Sequence, residues 1–103
     1  MTLHHISTPT KEISMELAGN FRAFHFARLK QSVSALQGNW IARVTEAEKL
    51  PHPIAMLETL QGLLETQLPF AYAGVSKYSP LHVEEALSGL KICIAAMEEL
   101  ERV

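Results

Sequence analysis

The apolar residues of this chain recur at spacings of three and four, and this periodicity constrains the fold more than any other feature of the sequence. One such stripe consists of Phe26, Leu29, Val33, Leu36 and Trp40. A second consists of Val83, Leu87, Leu90, Ile94 and Met97. Stripes of this kind are typical of helices that bury one side. All eleven acidic residues are glutamate, which interferes less with the helical backbone than aspartate does, so the sequence predicts an all-α fold.

The ends of the helices can be placed from prolines and capping residues. Residues 1–8 are expected to form an irregular arm, and residues 9–103 a single helical domain. Thr8 suits the N-cap position and Pro9 the first helical position of a long first helix. Pro51 and Pro53 end any helix that reaches them. Together these signals predict a small antiparallel bundle of three or four helices.

The stretch "LQGNW" at 36–40 leaves the length of the first helix open. Gly38 followed by Asn39 is a usual helix stop, whereas the apolar periodicity continues through Trp40 and Val44. The helix therefore either breaks at Gly38 or continues to about Leu50.

The stretch "LPFAYAGVSKYSPLH" at 68–82 is expected to be a loop between a helix over 53–67 and a last helix that starts at Pro80 with Ser79 as its cap. It is interpreted first as a plain interhelical connection. Its alternative is an anion-favouring pocket at a helix N-terminus, which would bind a small molecule or an acidic side chain of a partner. The residues that would line this pocket are Tyr72, Lys77, Tyr78 and His82.

The first half of the first helix carries a further apolar stripe, which consists of Ile13, Leu17, Phe21 and Phe24. It is rotated by roughly a third of a turn from the Phe26 stripe, so a single packing partner cannot cover both. One cover is the bundle itself, and the other is a second subunit, a partner protein or a ligand. The residues predicted to bind the partner are Phe21, Phe24, His25 and Arg28.

A row of small side chains in the last helix allows another backbone to approach closely. It consists of Ala86, Gly89, Cys93 and Ala96. Such a row suits a tight contact within the chain or the seam of a two-fold dimer, and the sequence leaves both open.

No motif in the sequence points to catalysis. The five histidines show no i, i+4 pair, and Cys93 has no second cysteine, so neither a metal site nor a cofactor is expected. There is no GxSxG and no aspartate to orient a histidine. Nucleic-acid binding is not expected either, because the helices after 50–53 and after 68–82 carry mainly glutamate among their charged residues.

Charge and cysteine content bear on the partner and the compartment. Residues 1–45 hold five basic against two acidic residues and residues 46–103 hold four against nine, which favours antiparallel packing of the two halves. One cysteine, no signal-peptide pattern and no apolar run of membrane-spanning length predict a cytoplasmic protein. The sequence as a whole predicts a non-catalytic regulator, inhibitor or adaptor that binds and occludes another protein, as a homodimer. The alternative is a small-molecule-binding protein that uses the 68–82 loop.

Overall fold

The structure is a computed structural model that describes the backbone of residues 7–102 and the side chains of residues 15–102. This part of the chain contains four α-helices and no strand. They are α1 (Ser7–Val33), α2 (Trp40–Glu48), α3 (Ile54–Tyr72) and α4 (Pro80–Arg102). The all-α bundle with a long first helix is therefore confirmed. No helix in residues 7–102 is both long and apolar enough to cross a membrane.

Helix α4 lies at the centre of the bundle, because it packs against both α1 and α3, while α2 packs on α1 and touches α3. All five residues of the Phe26 stripe and all five of the Val83 stripe are buried, as predicted. The core from α3 consists of Leu57, Leu60, Leu64 and Ala71. Met56 and Leu63 of the same helix are exposed, because α3 is covered on one side only.

The first helix breaks at the glycine, which resolves the alternative left open by the sequence. Helix α1 ends at Val33, and Gly38 adopts a left-handed backbone with φ of 101° that favours glycine. Helix α2 then begins at Trp40. Trp40 is nevertheless buried, so the apolar periodicity correctly identified a core residue on the far side of the break.

The connection before α4 is shorter than predicted, because α3 continues through Pro69 to Tyr72. Proline has no amide hydrogen, so the carbonyl group four residues before Pro69 lacks its helical donor. Because Pro69 is exposed, water can hydrogen-bond to that carbonyl group instead. The chain instead leaves the helical conformation at Gly74, just after the end of α3, where φ is 77°. The Val75 amide donates to the Phe70 carbonyl at 3.0 Å and the Gly74 amide to the Ala71 carbonyl at 3.1 Å, which is the Schellman arrangement. The loop is therefore 73–79 rather than 68–82.

The row of small residues in α4 is the surface on which α1 of the same chain packs. Ala86, Cys93 and Ala96 are buried within the single chain. A Cβ atom added at Gly89 would lie 2.4 Å from Ser32 Oγ and 2.5 Å from Ser32 Cβ. The contact within the chain is thus the alternative that the structure adopts. The prediction of a dimer seam on this row is corrected, because α1 already covers it.

Two basic residues of α1 hold the C-terminal end of α2. The Arg22 guanidinium donates to the backbone carbonyl of Glu48, and to that of Leu50 at 2.6 Å. Carbonyl groups at the end of a helix lack helical donors, so this contact supplies them with partners. Lys30 Nζ lies 2.7 Å from the Glu48 carboxylate.

Most of the predicted N-terminal arm, residues 1–8, lies outside the described residues. Helix α1 is described from Ser7 onward, so Thr8 lies within it rather than capping it. Pro80 begins α4 as predicted, and the Ser79 carbonyl accepts a hydrogen bond from the Val83 amide at 3.0 Å.

The close contact at Gly89 predicts opposite effects for two glycine substitutions in helices. Gly89→Ala should lower the free energy of unfolding by about 1–2 kcal/mol, since overpacking costs more than the gain in helix propensity. Gly62→Ala, where an added Cβ meets nothing within 4 Å, should raise it by about 0.5–1 kcal/mol. Urea unfolding followed by circular dichroism, at one protein concentration, measures both. Equal stabilisation by the two substitutions would contradict the close approach of α1 to α4.

Candidate functional site

The N-terminal turns of α1 extend beyond the rest of the bundle. Helix α1 runs antiparallel to α4, since Ser32 meets Gly89 whereas Arg22 lies beside Met97, Leu100 and Glu101 near the end of α4. The turns that precede Arg22 therefore run past the end of α4. With 27 residues α1 is about 40 Å long, and the described part of the chain measures 66 Å along its longest axis.

An apolar row of α1 faces away from the bundle. Leu17, Phe21 and Phe24 are 60%, 39% and 56% exposed. They continue at helical spacing to Arg28, and at about 100° per residue the centre of this row is rotated by roughly 140° around α1 from the midpoint of Phe26 and Leu29. We call Leu17, Phe21, Phe24 and Arg28 the outer face of α1. Ile13, predicted for the same stripe, lies outside the residues whose side chains are described.

His25 and Arg28 add polar groups to this aromatic surface. The His25 ring centroid lies 4.5 Å from that of Phe21 and 5.2 Å from that of Phe24, with the Phe24 ring nearly perpendicular to it. The Arg28 guanidinium carbon lies 5.7 Å from the centre of the Phe24 ring. Within residues 15–102, no carboxylate is within ion-pair distance of Arg28. All four residues predicted to bind a partner therefore lie together on one surface.

A groove between α1 and α4 borders the outer face. Its volume is about 180 Å³, and it is lined chiefly by Phe24, His25, Arg28, Gly89, Ile92 and Cys93. Ile92 is 58% exposed and forms the apolar wall from α4. No local pattern in the sequence identifies Ile92, since its place beside Phe24 depends on how α1 and α4 align. The groove combines apolar walls with a cationic rim, which suits an apolar side chain that has an acidic neighbour.

The Cys93 thiol at this groove is poorly suited to act as a nucleophile. Cys93 is buried, and this burial raises the pKa of its thiol to about 11. Arg22 lowers that pKa and Glu48 raises it, both by smaller amounts. Because the thiolate is the reactive form, the thiol is almost fully protonated and unreactive at neutral pH.

The four residues of the predicted ligand loop do not form one site. Lys77, Tyr78 and His82 line one cleft, but Tyr72 lies apart at the end of α3. The Tyr72 hydroxyl donates a hydrogen bond to the Glu84 carboxylate, and this bond raises the pKa of Tyr72. Tyr78 is partly buried and accepts a hydrogen bond from Trp40 Nε1 at 3.2 Å, so it helps to hold α2 in place.

A second cleft beside Tyr78 contains two residues that were not predicted to belong to a site, Trp40 and Arg43. The Arg43 guanidinium carbon lies 4.8 Å from the centre of the Trp40 ring, and Lys77 Nζ lies 5.3 Å from that of Tyr78. No carboxylate lines this cleft. Only the tertiary fold brings α2 next to the 73–79 loop, so no local sequence signal could have joined these residues.

Within the part of the chain whose side chains are described, no three His, Cys, Asp or Glu residues cluster closely enough to hold a metal ion. Comparisons of the sequence with protein-family models and with curated proteins, and of the fold with solved structures, found no match.

The environment of Cys93 predicts slow modification of the only cysteine in the chain. At pH 8 the native protein should react with a disulfide reagent at least about a hundredfold more slowly than the chain in urea, because a pKa two units higher lowers the thiolate fraction by that factor. The native rate should rise with pH up to about 11, whereas the rate in urea levels off above about pH 9. Absorbance of the released thiolate measures both rates, and similar rates at pH 8 would contradict the buried thiol.

Proposed function

We propose that this protein is a non-catalytic protein-interaction module that regulates, inhibits or scaffolds a partner protein by binding it through α1. The observation that supports this proposal is the outer face of α1. Three large apolar side chains there are exposed on the helix that projects furthest from the bundle, and this is the usual property of a docking surface.

The arrangement of this surface suits recognition of another helix or an extended apolar segment. The outer face is a row at spacings of four, three and four, the pattern by which helices anchor in partner grooves. Phe21 and Phe24 supply large rigid contact area, and aromatic and arginine side chains are common at the centre of interfaces. Arg28 can pair with an acidic side chain at the edge of the partner.

Occlusion is the mechanism that follows from this geometry. Arg22 and Lys30 hold α2 against the bundle side of α1, so the helix presents its outer face on a rigid support. When a partner binds Phe21 and Phe24, its own apolar surface is covered by α1 and can no longer bind other molecules. This mechanism requires no chemical step.

The proposal predicts that removing the two phenylalanines abolishes partner binding without unfolding the protein. Phe21→Ala with Phe24→Ala should lower the free energy of unfolding by less than about 1 kcal/mol, since both side chains are more than one third exposed. Native mass spectrometry of protein purified gently from its own host should show a protein complex for the wild type and none for this variant. The matched control is Leu63→Ala with Phe70→Ala, which removes two similarly exposed residues of α3. Loss of the complex in both variants, or in neither, would exclude the outer face as the binding surface.

A second candidate function is binding of a small anionic molecule at the cleft beside Tyr78. The observation in its favour is that Arg43 and Lys77 both line this cleft and no carboxylate does. The same mass spectrum distinguishes the candidates, since a ligand adds a few hundred daltons to one subunit. A ligand lost on Lys77→Gln, with partner binding unaffected by the phenylalanine substitutions, would favour this second function.

A further inference from the structure

We infer that the cleft beside Tyr78 binds an organic oxyanion, which is a carboxylate or a phosphate monoester that carries an uncharged apolar body. This inference rests on the second candidate function and deepens it, because it names the chemical class of the ligand. The cleft lies between α2, α3 and the 73–79 loop, away from the outer face of α1. Its volume of about 480 Å³ is within the usual range for sites that bind small molecules.

The charged side chains that line the cleft, among those that the structure describes, are both cationic. Arg43 comes from α2 and Lys77 from the loop, and residues 15–102 place no carboxylate within ion-pair distance of either. Helices α2 and α3 each carry two glutamates, yet none of these four lines the cleft. A cleft bordered by charge of one sign attracts a ligand of the opposite sign. This attraction is local, since the chain as a whole has a net charge of -2.

The uncharged polar groups of the cleft also present hydrogen-bond donors. Ser76 Oγ donates to the Gln67 side-chain oxygen at 3.1 Å, so this oxygen is occupied, while the amide nitrogen of Gln67 has no partner among residues 15–102. Trp40 Nε1 donates to the Tyr78 hydroxyl oxygen, which leaves the hydroxyl hydrogen available to a ligand. Carboxylate and phosphate oxygens accept from such donors, whereas an ammonium group would be repelled by both cations.

The loop that carries Lys77 is held on both sides of this residue. The Tyr78 amide donates to Ser76 Oγ at 3.1 Å, and Ser76 is bonded in turn to Gln67 of α3. The Tyr78 hydroxyl is bonded to Trp40 of α2. Because both neighbours of Lys77 are tied to helices, the loop loses little freedom when a ligand binds, and this lowers the entropic cost of binding.

Two aliphatic side chains supply a surface for the apolar body of the ligand. Leu63 of α3 and Val75 of the loop both line the cleft, and both are exposed. A ligand that covers them removes apolar surface from water, which favours binding. An inorganic anion would use only the cations and the donors. The apolar wall is therefore the observation that favours an organic oxyanion over free phosphate.

The experiment is an NMR titration of the isotopically labelled full chain, followed by the indole N–H signal of Trp40. The chain has one tryptophan, so this signal is identified without further assignment. It reports on the cleft, because Trp40 Nε1 is bonded to Tyr78. The probes are octanoate and octyl phosphate, which share an apolar tail. The matched controls are octylammonium, which has a similar tail and the opposite charge, and inorganic phosphate, which has no tail.

At least one of the two octyl anions should shift the indole signal saturably, and the tighter of the two distinguishes a carboxylate ligand from a phosphate ester. Octylammonium and inorganic phosphate should each bind at least about tenfold more weakly than this tighter probe, because one has the wrong charge and the other buries no apolar surface.

Removing either cation should weaken the binding of the tighter octyl probe. Arg43→Gln and Lys77→Gln should each raise its dissociation constant about fivefold to tenfold, since a hydrogen bond to a charged group is lost. Both side chains are exposed, so we expect the variants to stay folded. The control is Lys91→Gln, which removes an equal charge from an exposed position of α4 outside the cleft and should leave the dissociation constant unchanged.

Four results would overturn the inference. These are no saturable shift with either octyl anion, equal binding of octylammonium, equal binding of inorganic phosphate, and equal weakening by Lys91→Gln and the two cleft substitutions. The second candidate function fails separately, when native mass spectrometry of protein from its own host shows no bound small molecule. A small molecule that is lost on Lys77→Gln, together with failure of both octyl anions, would overturn the ligand class alone.

Discussion

The close approach of α1 to α4 at Gly89 is the contact on which the rest of the structure depends. Because Ser32 occupies the space that a side chain at position 89 would need, it fixes both the rotation of α1 and its position along α4. The rotation turns Phe26, Leu29 and Val33 into the core and leaves the outer face toward solvent. The position places Arg22 at the end of α4, so the turns before it project. The fold and the candidate site therefore share one cause.

Much of the fold could be predicted because core packing leaves a periodic trace in the sequence. Both long apolar stripes identified buried residues, and the Phe26 stripe did so even across the break at Gly38. That break could not be decided locally, since a glycine signal and an unbroken periodicity pointed in different directions. The loop predicted over 68–82 was wrong at its start for a different reason, because α3 continues through Pro69. A proline signals the end of a helix, but an exposed proline in the last turns leaves its helix intact when water can reach the freed carbonyl group.

The candidate site was partly predictable because several of its residues lie close together in the sequence. Phe21, Phe24, His25 and Arg28 are neighbours on one helix, so local spacing was enough to group them. The groove beside them was not predictable, because Ile92 and Cys93 join it only through the alignment of α1 with α4. The small-residue row had two interpretations that spacing could not separate. The predicted ligand loop shows the opposite error, since residues close in the sequence were assigned to one pocket, whereas the end of α3 separates Tyr72 from Tyr78.

The position of Trp40 determines what intrinsic fluorescence can report about this protein. It is the only tryptophan in the chain, it is buried at the start of α2, and its neighbours are Arg43 and Tyr78. It lies at the end of the bundle where α1 finishes, whereas the projecting turns and Phe21 lie toward the other end. The emission of Trp40 therefore follows the docking of α2 and the unfolding of the bundle. Events at the outer face of α1 leave the surroundings of the indole unchanged and need a probe placed on α1 itself.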